Sequence, residues 1–380
     1  MSGFQLRRLA MALALFLAFS GSPTRAFHDG GVGACKECHR MNRLDPEGTV
    51  TTLEPGGTRT AILLGSDPSS TCLRCHARSG SASNVLSADG SSFTPGGDFY
   101  WLTRSYSWTV MGREHQSPGR NRGHNVVAAE FGLGEDGVLA EAPGGSYPAA
   151  SLSCTSCHDP HAVTTGAEGR PAELGQEEAP AAGFRLLGGV GYARSGSEPF
   201  REAAPVARAS SPDWRETDSN HTAYGSGMSE WCANCHPLML AGGMHSTGRF
   251  ATLDSEMAAR YNRYVKTGDH SGDRSSAYLA LVPFEAGTSD TAALDPSSTA
   301  GPEGGRSNVM CLTCHRAHAS AFEDIGRWDF SATFLAASHP AEGDVGVRPG
   351  EARASYYGRD VAAEFGPDQR SLCNKCHALD

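Results

Sequence analysis

All twelve cysteines fall in six copies of one pattern, Cys-x-x-Cys-His. The copies are Cys35-Cys38-His39, Cys72-Cys75-His76, Cys154-Cys157-His158, Cys232-Cys235-His236, Cys311-Cys314-His315 and Cys373-Cys376-His377. The pattern is the attachment site of a c-type haem. Its two thiols form thioether bonds to the porphyrin edge, and the adjacent histidine reaches the iron. Six copies imply six covalent haem c groups and a chain that moves electrons. A zinc site would not require a histidine after every second cysteine. A dithiol catalyst needs one motif, and a disulfide framework would scatter its cysteines.

The sixth position on each iron decides the chemistry. An open position permits catalysis, and a second strong ligand favours pure electron transfer. Nine histidines lie outside the motifs: His28, His115, His124, His161, His221, His245, His270, His318 and His339. They suffice to cap six irons. His161 and His318 each follow a motif histidine by three residues, so they sit on the proximal side of their own haem. Each can cap the iron of a neighbouring haem, which ties two haems closely together. Methionine is the competing ligand, and Met228, Met239, Met244 and Met310 lie near motifs, but methionine is more often a packing residue. Bis-histidine ligation, with low-spin irons at low potential, is the expectation. The aromatics Trp101, Trp108, Trp231, Trp328, Tyr106 and Tyr224 are expected on porphyrin faces and edges.

The remaining sequence must position these groups. Arg7 and Arg8, the apolar run Leu9 to Phe19 and the small-residue site Thr24-Arg25-Ala26 read as a secretory signal over residues 1–26. The expected mature chain, 27–380, is one hexahaem domain. It carries 29 Lys and Arg against 42 Asp and Glu, a formal charge of −13. That sign disfavours a nucleic-acid partner. The apolar run is too short to span a bilayer, and no later stretch approaches that length, so no transmembrane segment is expected.

Motif starts are separated by 37, 82, 78, 79 and 62 residues, with no fixed repeat. Glycine (46), proline (21) and few aromatics (8%) argue against a large apolar protein core. The predicted fold is mostly coil and turns, with a few short helices and little β, wrapped around a chain of haems. A helix is expected over Ser255 to Lys266, from Met257, Tyr261, Tyr264 and Val265 at helical spacing. Turns are expected at Thr94-Pro95-Gly96-Gly97 and Ala142-Pro143-Gly144-Gly145, and a surface loop over Ala167 to Ala182.

The chain resembles the outer-surface hexahaem cytochromes of metal-reducing bacteria. The resemblance runs from Phe27-His28 to Cys373-Asn374-Lys375-Cys376-His377. It includes Gly123-His124-Asn125, Ala223-Tyr224-Gly225 through Met228 to His236, Ser276-Ala277-Tyr278-Leu279, and Cys314-His315-Arg316-Ala317-His318. It implies a filament-forming homopolymer that passes electrons to extracellular acceptors such as metal oxides, in contact with other multihaem cytochromes. It also implies His28, His124, His161, His245 and His318 as distal ligands, on a secreted, surface-located protein. One position departs from the resemblance. In filament-forming relatives a histidine three residues after the first motif caps a haem of the next subunit, and here that position is Asn42. His221, then His115, are the candidate replacements. A monomeric shuttle is therefore an alternative, and so is a multihaem reductase with one open iron.

Overall fold

The computed structural model describes residues 37–39, 63–81, 83–161, 184–193, 197–209, 215–242 and 246–378. The signal segment, Cys35, His28, Asn42, the 167–182 loop and His245 lie outside the described residues.

Coil and turns dominate, as the composition predicts. Eight short helices are described: α1 (Pro68–His76), α2 (Cys154–Cys157), α3 (Met228–Cys232), α4 (Pro237–Gly242), α5 (Ser255–Arg263), α6 (Cys311–Cys314), α7 (Glu351–Ser355) and α8 (Val361–Phe365). Two antiparallel ribbons complete the regular structure. The first pairs β1 (Tyr106–Val110) with β2 (Arg113–Ser117), and the second pairs β3 (Val206–Arg208) with β4 (Ala223–Ser226). Among the described residues no helix is long and apolar enough to cross a membrane.

Local chemistry explains where the helices begin. Asp67 accepts the Ser70 amide at 2.7 Å, and Pro68 opens the first turn of α1. Asp254 caps α5 through the Met257 amide at 2.8 Å. Helix α5 stops at Arg263, short of the expected Lys266. Tyr264 is already extended, and a Lys266–Asp269 turn, with Gly268 at φ +76°, takes over the chain. Tyr264 is still buried, but Val265 faces outward. Both expected turns form, with Gly97 N–H bonded to Thr94 O and Gly145 N–H to Ala142 O.

The polypeptide builds an apolar core of its own around Trp101, Trp328, Tyr261, Leu73, Leu281 and Leu335. The sequence reading placed Trp101 and Trp328 against porphyrins. Both are 1% exposed within protein packing. Aromatics are few, but those of 93–106, 261–284 and 322–357 converge on one place.

A buried ion cluster fastens the fifth motif to this core. Glu216 Oε2 accepts from Arg316 at 2.8 Å and Arg327 at 3.0 Å, and all three side chains are at most 2% exposed. Arg316 lies between His315 and His318 in sequence and stacks 3.6 Å above the Tyr357 ring. Arg327 Nε donates to the carbonyls of Leu312 and His315. Burial pushes the Glu216 carboxyl up, but Arg327 and Arg316 hold it below the usual range. The cluster thus fixes the motif-five helix and the chain that leaves it.

Glu285 does the same for the fourth motif, accepting the Met228 amide at 2.8 Å where α3 begins. Burial raises its carboxyl from 4.5 to about 7. A raised acid binds its proton more tightly folded than unfolded. Its contribution is therefore complete below pH 4.5 and is lost as pH rises through about 7.

Two outcomes follow for stability. Glu216→Ala leaves two buried guanidinium groups uncompensated and should cost roughly 3–5 kcal/mol in denaturant unfolding; an unchanged midpoint would refute the cluster's role. Between pH 5 and 8 the melting temperature of Glu285→Gln should rise relative to the parent protein, and parallel curves would contradict the raised carboxyl.

Candidate functional site

Four of the motif histidines share one local device. A carbonyl oxygen can only accept, so a ring nitrogen bonded to one must carry the proton. His76 Nδ1 donates to Ser83 O (3.0 Å), His158 Nδ1 to Arg185 O (2.9 Å), His236 Nδ1 to Pro143 O (2.8 Å) and His315 Nδ1 to Asp324 O (2.7 Å). In each, Nε2 is left as the lone-pair nitrogen that a metal needs. The Ala142–Gly145 turn supplies one of these carbonyls through Pro143.

Motifs three and five are built alike. Ser153 N–H donates to Ser156 Oγ at 2.9 Å, and Met310 N–H to Thr313 Oγ1 at 3.0 Å. Each motif histidine bridges to a loop carrying consecutive left-handed residues, Arg185-Leu186 and Asp324-Ile325. Motifs also pair. Ser69, three residues before Cys72, accepts the Cys154 amide at 3.1 Å, and Ser229, three before Cys232, accepts the Cys311 amide at 3.0 Å. Cys72 and Cys154 lie side by side, as do Cys232 and Cys311.

Weaker electrostatic contacts join the remaining neighbours. Cys38 acts on Cys72, and Cys235 on Cys157. Cys373 and Cys376 likewise lie within electrostatic reach of Cys314. The six motifs therefore follow one another in space in sequence order. Cys75 lies in the last turn of α1.

Three of the expected distal histidines meet motif histidines. His39 and His161 have ring centres 6.0 Å apart, with planes 15° from parallel. His236 and His124 lie 6.0 Å apart, and His158 and His318 lie 6.3 Å apart. Two imidazoles on opposite faces of one iron, each nitrogen about 2 Å from the metal, have ring centres about 6 Å apart. The residues present fit a bis-histidine haem at these three places.

His161, beside motif three, faces motif one. His318, beside motif five, faces motif three. The reach is two motifs back, where spacing alone indicated a neighbouring haem.

One backbone pairing carries two of the caps. Gly123 bridges Ala319, the His124 amide donates to His318 O at 2.9 Å, and His124 Nδ1 donates to Ala317 O at 2.7 Å. The Thr94–Gly97 turn lies under His318, whose amide donates to Gly96 O. Gly97 stands at φ +100°, and a Cβ there would meet Ala319 O at 1.9 Å. Burial, then His158, push the His318 imidazole down to about 3. Burial lowers His124 as well. Both rings are neutral at physiological pH, the state in which imidazole binds metal.

Lys375, between the cysteines of motif six, reaches back to α5. Its Nζ donates to the Tyr261, Tyr264 and Ala277 carbonyls at 2.9–3.3 Å. The final carbonyls of α5 thus receive a cation.

His221 is placed elsewhere. It is 3% exposed, stacks on Tyr278 at 3.7 Å and has both ring nitrogens within hydrogen-bond distance of carbonyls, those of Thr222 and Ser298. That environment holds it as a packing residue and leaves no nitrogen for an iron. His115 is the cross-strand partner of Trp108 on the first ribbon.

No family model matches the chain. It is 37% identical over 431 aligned positions to the C-type cytochrome OmcS of Geobacter sulfurreducens, across 98% of each protein. The chain belongs to the OmcS family of c-type cytochromes. An outer membrane cytochrome S filament from the same organism superposes with a TM-score of 0.73 at 34% identity, over 93% of this chain and 100% of that one. OmcS nanowires seen by electron cryo-microscopy give 0.76 at 35% identity, with the same coverage. Family membership makes the coil-rich fold the shared one and the cofactor covalent haem c.

His161→Ala should turn the motif-one haem high-spin and leave the motif-three haem low-spin, read by electron paramagnetic resonance of the ferric protein. Six unchanged low-spin signals would break the His39–His161 assignment.

Proposed function

We propose that this chain is an extracellular electron conduit. It carries six haem c groups on the motifs at Cys35 to His377 and forms head-to-tail homopolymers of its 27–380 domain. The observation that carries the reading is the spatial succession of all six motifs in sequence order, reinforced by histidine pairs that cross between them. The filaments of the related OmcS support polymerisation.

When bound, each haem supplies an iron that accepts and releases one electron. The chain's own residues hold that iron still. Nδ1–carbonyl bonds fix the motif rings, and His124, His161 and His318 close the opposite faces. Two strong axial nitrogens keep the ligand set unchanged between oxidation states, which suits transfer without bond making. His28 and His245 complete the proposed distal set. The partners are further copies, other multihaem cytochromes and extracellular acceptors such as metal oxides. The chain acts as a carrier and turns over no substrate.

Asn42 favours a second reading, a monomeric surface shuttle, because an amide there offers the next copy no strong ligand. Electron cryo-microscopy of protein sheared from the cell surface separates the two. A filament with an unbroken haem row is expected; monodisperse particles would establish the shuttle.

A further inference from the structure

His318 and His124, which face the motif histidines His158 and His236, stand on one piece of structure. Residues 317–320 are laid between the turn at 94–98 and residues 122–124. On the turn side, the Ala317 and His318 amides both donate to Gly96 O, and the Asp98 amide donates to Ala319 O at 3.1 Å. On the other side, the His124 amide donates to His318 O and the Ser320 amide to Arg122 O, each at 2.9 Å. The same segment aims the His124 ring, because Nδ1 donates to Ala317 O at 2.7 Å. The turn is itself anchored. Arg316 Nη1 donates to Pro95 O at 3.2 Å, and the Tyr357 hydroxyl donates to Thr94 O at 2.6 Å.

Two glycines permit this close approach. Gly97 stands at φ +100°, in the left-handed region, and a Cβ on it would lie 1.9 Å from Ala319 O. Gly123 is extended, but a Cβ on it would lie 2.5 Å from Ala319 Cβ and 2.7 Å from His318 O. Either Cβ displaces the 318–319 peptide. That peptide carries the His318 ring and accepts the His124 amide, so neither imidazole keeps its aim when it moves. Gly96 differs. A Cβ there would meet the His318 ring itself, at 3.0 Å from Cε1 and Nδ1. His161 has a separate anchor, since its amide donates to Asp159 Oδ1 at 3.0 Å.

We propose that Gly97 and Gly123 are positioning residues for two irons at once, and that the distal ligands of motifs three and four seat or detach as a single unit. The inference rests on the haem loading proposed above. It makes the centre of the conduit a two-haem segment whose ligation is all or none, while the motif-one iron, held by His161, lies outside that unit.

The test uses the intact haem-loaded protein. The haem count by pyridine haemochromogen comes first; fewer than six per parent chain would overturn the functional reading itself. With six present, Gly97→Ala and Gly123→Ala should each give two high-spin ferric haems by electron paramagnetic resonance, and the reduced proteins should each take up about two carbon monoxide per chain. Gly96→Ala, which presses on one ring, should disturb the motif-three haem alone. Any count other than two in a Gly97 or Gly123 variant that retains six haems overturns the coupling, as does a Gly96→Ala protein that loses both caps. Hydrogen exchange on the unsubstituted protein decides the matter even where a variant fails to load its haems. Opening as one unit gives the His124 and His318 amides equal protection, and unequal protection overturns the proposal.

Discussion

The bond from a motif histidine's Nδ1–H to a backbone carbonyl is the constraint on which the rest depends. A free imidazole can present either nitrogen and can rotate. Once Nδ1 is committed, Nε2 points in one direction and the iron's place is set by the polypeptide. Each accepting carbonyl must then be supplied from outside the motif. Ser83, Pro143, Arg185 and Asp324 lie in four different loops. The long coil between motifs is the material from which these acceptors are made.

The same requirement accounts for the local strain. Arg185, Leu186, Asp324 and Ile325 all adopt left-handed backbone, which costs a non-glycine residue energy. In that conformation the loop doubles back on its motif. The Asp159 amide donates to Leu186 O and the Arg316 amide to Ile325 O, both at 2.8 Å. Motifs three and five thus reach one geometry although the loops that serve them lie 27 and nine residues downstream. The buried Glu216 cluster secures the tighter of the two.

Much of this was legible in the sequence. The motif fixes sulfurs and histidine within five residues, so cofactor chemistry needs no tertiary information. His161 and His318 were legible as caps because three residues after a motif histidine is still the proximal side. Their targets were not, since reach depends on how loops of some 80 residues fold back. Helix α5 was visible in its apolar spacing, but its end was not. Tyr264 and Val265 continue the helical pattern, while the Gly268 turn decides where the chain leaves it. Trp101 and Trp328 misled, because an aromatic in a haem protein can pack on porphyrin or on protein, and composition cannot tell which. His221 misled likewise, as a spare histidine whose ring serves carbonyls.

The histidine pairs join residues far apart in the chain. His39 and His161 are separated by 122 positions, His124 and His236 by 112, and His158 and His318 by 160. A ribosome produces the amino end first, so the earliest motif exists long before the residue that completes it. Closure of these contacts is non-local and correspondingly slow. A haem joined to motif one before His161 is made would be held by a single histidine. The His158–His318 pair waits longest, until the last third of the polypeptide arrives.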